Sequence, residues 1–114
     1  MIPVALFFAG ALLCNSIPHL ISGLCGTPFP TPFAKPRGIG ESSPLVNFLW
    51  GSVNLLAGIA LLAAHPVAIG LDPDFGALLA GFLALGSAMS VHFGKVRRTK
   101  QDAGVPPHPV QPVG

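Results

Sequence analysis

The sequence predicts an all-α membrane protein of three transmembrane helices, its N-terminus outside and its C-terminus in the cytoplasm. Three observations carry that prediction. Apolar stretches of membrane-spanning length cover about residues 2–24, 45–64 and 73–94, and the runs 2–24, 45–64 and 75–93 contain no Asp, Glu, Lys or Arg. About 20 apolar residues are needed to cross ~30 Å of hydrocarbon. The composition is 51% hydrophobic and 9% charged, where a soluble domain carries about 25% charged residues. A soluble chain of this size must coat most of its surface with polar groups, and four acids and six bases cannot do so; mean hydropathy is +0.68. Finally, Lys35 and Arg37 fall in the first loop and Lys95, Arg97, Arg98 and Lys100 follow the third stretch, while residues 65–73 and the N-terminus carry no Lys or Arg. Three spans place all six bases on one side, which the positive-inside rule makes the cytoplasm.

The first stretch reads as a span and not as a signal peptide. No basic region precedes Ile2 and no A-x-A site closes the run. Leu13 before Cys14 is too large for a lipoprotein box, so no lipidation is expected. Pro18 is expected to kink this span, with neighbouring helices satisfying the freed carbonyl. On one helix Cys14 and Cys25 would be separated by roughly 16 Å along the axis. A disulfide needs Cα atoms within about 7 Å, so free thiols are expected.

The loop 25–44 is rich in Gly and Pro, and Phe29 and Phe33 alternate with Pro28, Pro30, Pro32 and Pro36. It is expected to lie extended along the inner interface, its aromatics dipped among the headgroups. Ser43-Pro44 and Asp72-Pro73 mark the starts of the second and third helices. Ser or Asp at N-cap accepts an orphan N–H, and proline at the first helical position has none to lose. After residue 100, Pro106, Pro107, Pro109 and Pro112 predict a disordered cytoplasmic tail over 101–114. The expected organisation is one three-helix bundle over 1–100 plus that tail.

Small and polar residues gather at helical spacing. Asn47, Gly51, Asn54 and Gly58 share a face of the second span; Gly86, Ser90 and Gly94, and Ala77 with Gly81, do so in the third. Small residues let helix backbones approach closely in lipid, so these stripes are read as packing seams, within the monomer or between copies. A ligand cleft along 47–58 is the competing reading.

With this topology Asn15 and His19, Asn47 and Trp50, and Ser90 and His92 all lie toward the inner leaflet. Polar groups in a membrane face the interior and often mark function. The six form a candidate ligand-binding cluster, although hydrogen bonding between helices, or interfacial anchoring for Trp50, accounts for them equally simply. His19 and His92 are the residues that could ligate haem, but no metal-spacing motif or nearby carboxylate accompanies them, so no metal site or cofactor is expected. Gly38, Gly40, Ser42 and Ser43, with Lys35 and Arg37 beside them, precede a helix N-terminus that could hold an anion. Without a preceding strand or a Gly-Lys-Ser/Thr run this suits a lipid headgroup better than a nucleotide; the plainer reading is a turn that needs glycine.

No nucleophile–base–acid set is present, and Glu41, Asp72, Asp74 and Asp102 all lie outside the apolar runs. No catalytic residues are expected. Nor is nucleic acid, since the two basic clusters form no stripe interleaved with aromatics.

The runs Asn15-Ser16-Ile17-Pro18-His19, Thr31-Pro32-Phe33-Ala34 with Pro36, and Ser42-Ser43-Pro44 with residues 47–51 resemble a group of small bacterial polytopic membrane proteins of uncharacterised function. The resemblance covers most of the chain up to His92-Phe93-Gly94-Lys95. It implies a bacterial inner-membrane protein and brings no activity with it. The function expected is that of a non-enzymatic scaffold or accessory subunit binding lipid or a small apolar ligand near the inner leaflet. Three short helices bury little area, so a homo-oligomer or a partner membrane subunit is expected too. The alternatives are a redox membrane anchor holding haem or quinone through His19 and His92, and a protomer of an oligomeric transporter.

Overall fold

The computed structural model describes residues 2–37 and 39–104 and contains three helices long and apolar enough to cross a membrane. Helix α1 covers Ile2–Cys25, α2 Pro44–Ala64 and α3 Pro73–Asp102; strands β1 (Phe29–Pro30) and β2 (Glu41–Ser42) lie between α1 and α2. Local chemistry sets the helix ends. Ser43 Oγ accepts from the Val46 N–H at 3.3 Å and Asp72 Oδ1 from the Phe75 N–H at 2.9 Å, each with proline at the first helical position. Helix α1 closes on Gly26, whose φ of 73° suits glycine. The Thr27 N–H reaches Ser22 O at 2.9 Å and the Gly26 N–H reaches Gly23 O at 3.3 Å, the paired bonds of a Schellman cap.

Helix α3 overruns the predicted end at residue 94 and continues to Asp102. Lys, Arg and Gln sustain a helix well in water, and the turn at Gly104, with φ 76°, comes only afterwards. At 1.5 Å per residue α3 is about 45 Å long, so its basic last turns extend past a ~30 Å hydrocarbon layer. Of the predicted tail, residues 101 and 102 are thus helical, and 105–114 lie outside the described residues.

The helices do not close into a bundle. Helix α1 packs against both α2 and α3, while α2 and α3 share no seam of their own. The glycines explain why. A Cβ on Gly51 would come within 2.9 Å of Leu20 N, and one on Gly58 within 2.9 Å of the Leu13 side chain. Along α2 the buried residues are Asn47, Gly51, Asn54 and Gly58, the small and polar stripe, and that face is given wholly to α1. On the other side of α1, a Cβ on Gly10 would strike Leu78 O and one on Gly81 would strike Phe7 O. There the two backbones touch, and Gly81 is the buried residue of α3. Of the other small residues predicted to pack, Ala77 and Gly86 are half-buried, Ser90 and Gly94 are exposed, and nothing lies within 4 Å of a Cβ on Gly94.

Polarity is inverted relative to a water-soluble fold. Asn47 is 0% exposed, and Ser16, His19, Thr31 and Asn54 are buried with it, whereas Leu24, Leu45, Leu56 and Leu83 face outward. Backbone and side-chain polar groups must find partners inside when the solvent is hydrocarbon, and apolar side chains then have no reason to hide. Cys14 is buried and Cys25 exposed, both as free thiols.

The loop departs from the extended interfacial segment that its composition suggests. Strands β1 and β2 pair antiparallel, Phe29 with Ser42 and Pro30 with Glu41, and fold the segment back over the end of the helices. Thr31 anchors it from inside: its hydroxyl pairs with Ser42 Oγ at 2.5 Å and accepts the Phe33 N–H at 3.2 Å. Folding back gives the loop's backbone partners that an extended path would leave to water.

Candidate functional site

The polar centre of the molecule is built on Asn47, on the first turn of α2 facing α1. Its Nδ2 donates to three carbonyls, Phe29 O at 3.0 Å and Ser42 O and Ser43 O at 3.1 Å each. An amide nitrogen carries two hydrogens, so one of them is shared. Three surrounding carbonyls fix the amide's orientation, which leaves Oδ1 facing His19 Nδ1 at 2.7 Å. An amide oxygen only accepts, so the network assigns the histidine proton to Nδ1. One side chain thereby ties α1, α2, β1 and β2 together.

Two turns further along the seam, Asn15 Nδ2 donates to Asn54 Oδ1 at 3.1 Å, and Asn54 Nδ2 returns to Trp50 O at 2.8 Å. The Ser16 hydroxyl donates to Leu13 O at 2.6 Å, just before the carbonyl that Pro18 leaves without its helical donor. Of the predicted cluster, Asn15, His19 and Asn47 therefore share the α1–α2 seam. Ser90 and His92 lie elsewhere, exposed on α3; Ser90 Oγ bonds Gly86 O of its own helix at 2.7 Å. Sequence gives the depth of such residues but not the rotation of their helix, and α3 is oriented by its glycine contact with α1.

Trp50 stands beside the seam, half-buried, with the Phe33 ring edge-on at 5.0 Å. Its Nε1 is buried and has no hydrogen-bond partner among the described residues. An interfacial anchor would direct that N–H to water or headgroups. As the chain's single tryptophan, it is expected to emit at short wavelength and to resist quenching by aqueous iodide. Phe33→Ala should red-shift the emission; a wild-type spectrum typical of a water-exposed indole would contradict this packing.

Between His19 and His92 stand the rings of Phe29 and Phe93. The aromatic rings run from His19 to Phe29 (centroids 5.4 Å apart), from Phe29 to Phe93 (4.9 Å) and from Phe93 to His92 (4.9 Å). Among the described residues no group of three His, Cys, Asp or Glu is placed to hold a metal ion.

The candidate anion turn is closed on itself. The Ile39 and Gly40 N–H groups both point to Pro36 O, at 3.1 and 2.7 Å. Ser43 is spent on the α2 cap and Ser42 on Thr31. A Cβ on Gly40 would strike Lys35 O, so glycine is required there by backbone approach. Lys35 and Arg37 are exposed, and Gly38 lies outside the described residues.

A feature not evident from the sequence lies between α1 and α3. Below the Gly10–Gly81 contact the two helices diverge, and the Phe29 ring enters the gap. A trough of about 490 Å³ results, walled chiefly by Ile17, Pro18 and Ile21 of α1 and by Phe82, Met89 and Phe93 of α3. A smaller cavity of about 100 Å³ adjoins it, sharing Phe29 and Phe93 and reaching Glu41, Arg97 and Lys100.

No protein-family model, curated protein or solved structure matches the chain, so the functional reading rests on this geometry.

Proposed function

We propose that the protein is a non-enzymatic accessory or scaffold component of a bacterial inner membrane, N-terminus outside and C-terminus in the cytoplasm, which holds a lipid or small apolar ligand toward the inner leaflet. The observation that carries this reading is the α1–α3 trough, which opens at the end of the molecule where the bases gather. Phe29 against Phe93, and Lys100 Nζ donating to Ile39 O at 2.8 Å, bring the first loop and its Lys35 and Arg37 beside the basic end of α3. The polar residues within the seam are occupied with one another, so the ligand site moves from the predicted cluster to the trough beside it. A second copy or partner subunit is proposed against α3, which buries so little of itself.

Two measurements test the reading. Cys25 is exposed at the loop end of α1 while Cys14 is buried, so a membrane-impermeant maleimide should label Cys25 in inverted vesicles and not in intact cells. Labelling of intact cells would reverse the orientation. Native mass spectrometry of protein extracted in a mild detergent should show discrete lipid-sized mass additions; bare protein, where a control membrane protein keeps its lipid, would remove the ligand-holding role.

A further inference from the structure

We propose that the trough and the cavity beside it form one seat for a single phosphate-headed lipid, an acyl chain lying in the trough and the phosphate held by Arg97 and Lys100. The proposal rests on the ligand-holding reading above and names its ligand. The first support is dimension. From Phe82 to Phe93 the trough follows α3 for about 16 Å, close to half of a ~30 Å hydrocarbon layer, which is the depth one acyl chain occupies. Its volume of about 490 Å³ falls within the range of about 300–1,000 Å³ usual for ligand sites.

The second support is the order of polarity along the path. The walls are aliphatic and aromatic down to the Phe29–Phe93 pair, with Ser22 and Ser90 the hydroxyl side chains among them. Beyond that pair the lining changes to Pro30, Glu41, Val96, Arg97 and Lys100. Arg97 and Lys100 lie one and two turns past Phe93, about 6 and 10 Å along the axis, which is where headgroups begin. A phospholipid has the same sequence of parts at the same spacing.

The third support is charge. The Arg97 guanidinium is permanently ionised and offers a planar fork suited to phosphate. Lys100 uses one donor on Ile39 O and an ammonium has three, so it keeps capacity for a ligand while being held in place. Basic pockets on the cytoplasmic side of membrane helices are recognised lipid-headgroup sites. Glu41 lines the same cavity, and the chemistry assigned to Arg97 and Lys100 is the phosphodiester alone.

The test uses the full chain in a mild detergent, stripped of endogenous lipid and titrated in native mass spectrometry with phosphatidylglycerol, phosphatidylethanolamine and diacylglycerol of the same chains. At least one phospholipid is expected to bind at one copy per chain, about tenfold more tightly than diacylglycerol, the factor one charge-assisted hydrogen bond supplies. The double variant Arg97→Gln/Lys100→Gln should abolish the preference over diacylglycerol. Ser90→Phe, which fills the trough from its rim, should reduce binding of all three, with helicity by circular dichroism as the folding check. Equal binding of diacylglycerol and phospholipids would overturn the headgroup assignment and leave the apolar-ligand reading standing. Undiminished binding to a folded Ser90→Phe variant would place the lipid elsewhere and overturn the proposal. Binding of none of the three would end both this proposal and the ligand-holding reading.

Discussion

Replacing Gly81 with valine is expected to detach α3 from α1. Any Cβ at residue 81 meets Phe7 O, and the reciprocal Gly10 meets Leu78 O. Both obstacles are backbone, which cannot rotate aside, so a whole helix must move. Overpacking of this kind costs about 1–3 kcal/mol, and in lipid no hydrophobic driving force pulls the helices back together. The separation can be read from a cross-link. A Cβ at residue 86 lies 3.2 Å from Cys14 Sγ, a separation that a disulfide accommodates. In a Cys25→Ser background, Gly86→Cys should therefore oxidise readily to a Cys14–86 bridge. Adding Gly81→Val should reduce the bridged fraction several-fold. An unchanged yield would mean that the helices approach without needing glycine at their crossing.

Loss of Asn47 is expected to be the most destabilising single change at the polar centre. Asn47→Leu keeps the side chain's approximate volume and removes a hub that bonds His19 and three carbonyls at once. Each buried group left without a partner costs about 1–3 kcal/mol, while membrane hydrogen bonds measured pairwise average about 0.6 kcal/mol. A total of about 2–4 kcal/mol follows from the number of groups stranded. Unfolding in dodecyl maltoside by added SDS should show it, and hydrogen exchange should show the loop 26–43 opening before the helices. Asn54→Leu, which strands one interhelical partner, Asn15, is the internal control and should cost less than half as much. Equal effects at the two positions would remove Asn47's special standing.

What the sequence disclosed and what it withheld divide along a physical line. Segment length, apolar content and the Ser43-Pro44 and Asp72-Pro73 starts are local properties, and the helices begin where those residues indicate. The stripe from Asn47 to Gly58 was legible because its period matches a helix, and the same four residues are the buried ones of α2. For α3 the same reasoning found Gly81 but also counted Ser90 and Gly94, which are exposed. Periodicity shows that small residues share a face; it does not show how far along that face a neighbour remains in contact. The candidate site failed to read through for a related reason. Phe29 looked like a loop residue bound for the interface, and nothing local announces that Asn47, met later in the chain, will draw its backbone inward. The trough between α1 and α3 depends on that long-range return and on helix divergence, neither of which leaves a pattern in the sequence.

The central position of α1 bears on how the chain enters a membrane. Its half-buried Asn15 and buried His19 find side-chain partners on α2. The first two helices can therefore satisfy each other as a pair as soon as the second emerges, and no bare amide or imidazole has to wait in lipid for the rest of the chain. A polar side-chain contact that α3 makes with this hairpin, Lys100 Nζ on Ile39 O, lies at the loop and outside the seam, so the helix's arrival completes a shape more than it completes the network within the seam. Chain order and structural hierarchy coincide: the hairpin of α1 and α2 holds the seam's polar pairs, and α3, which follows them, is the helix left to take its place against it.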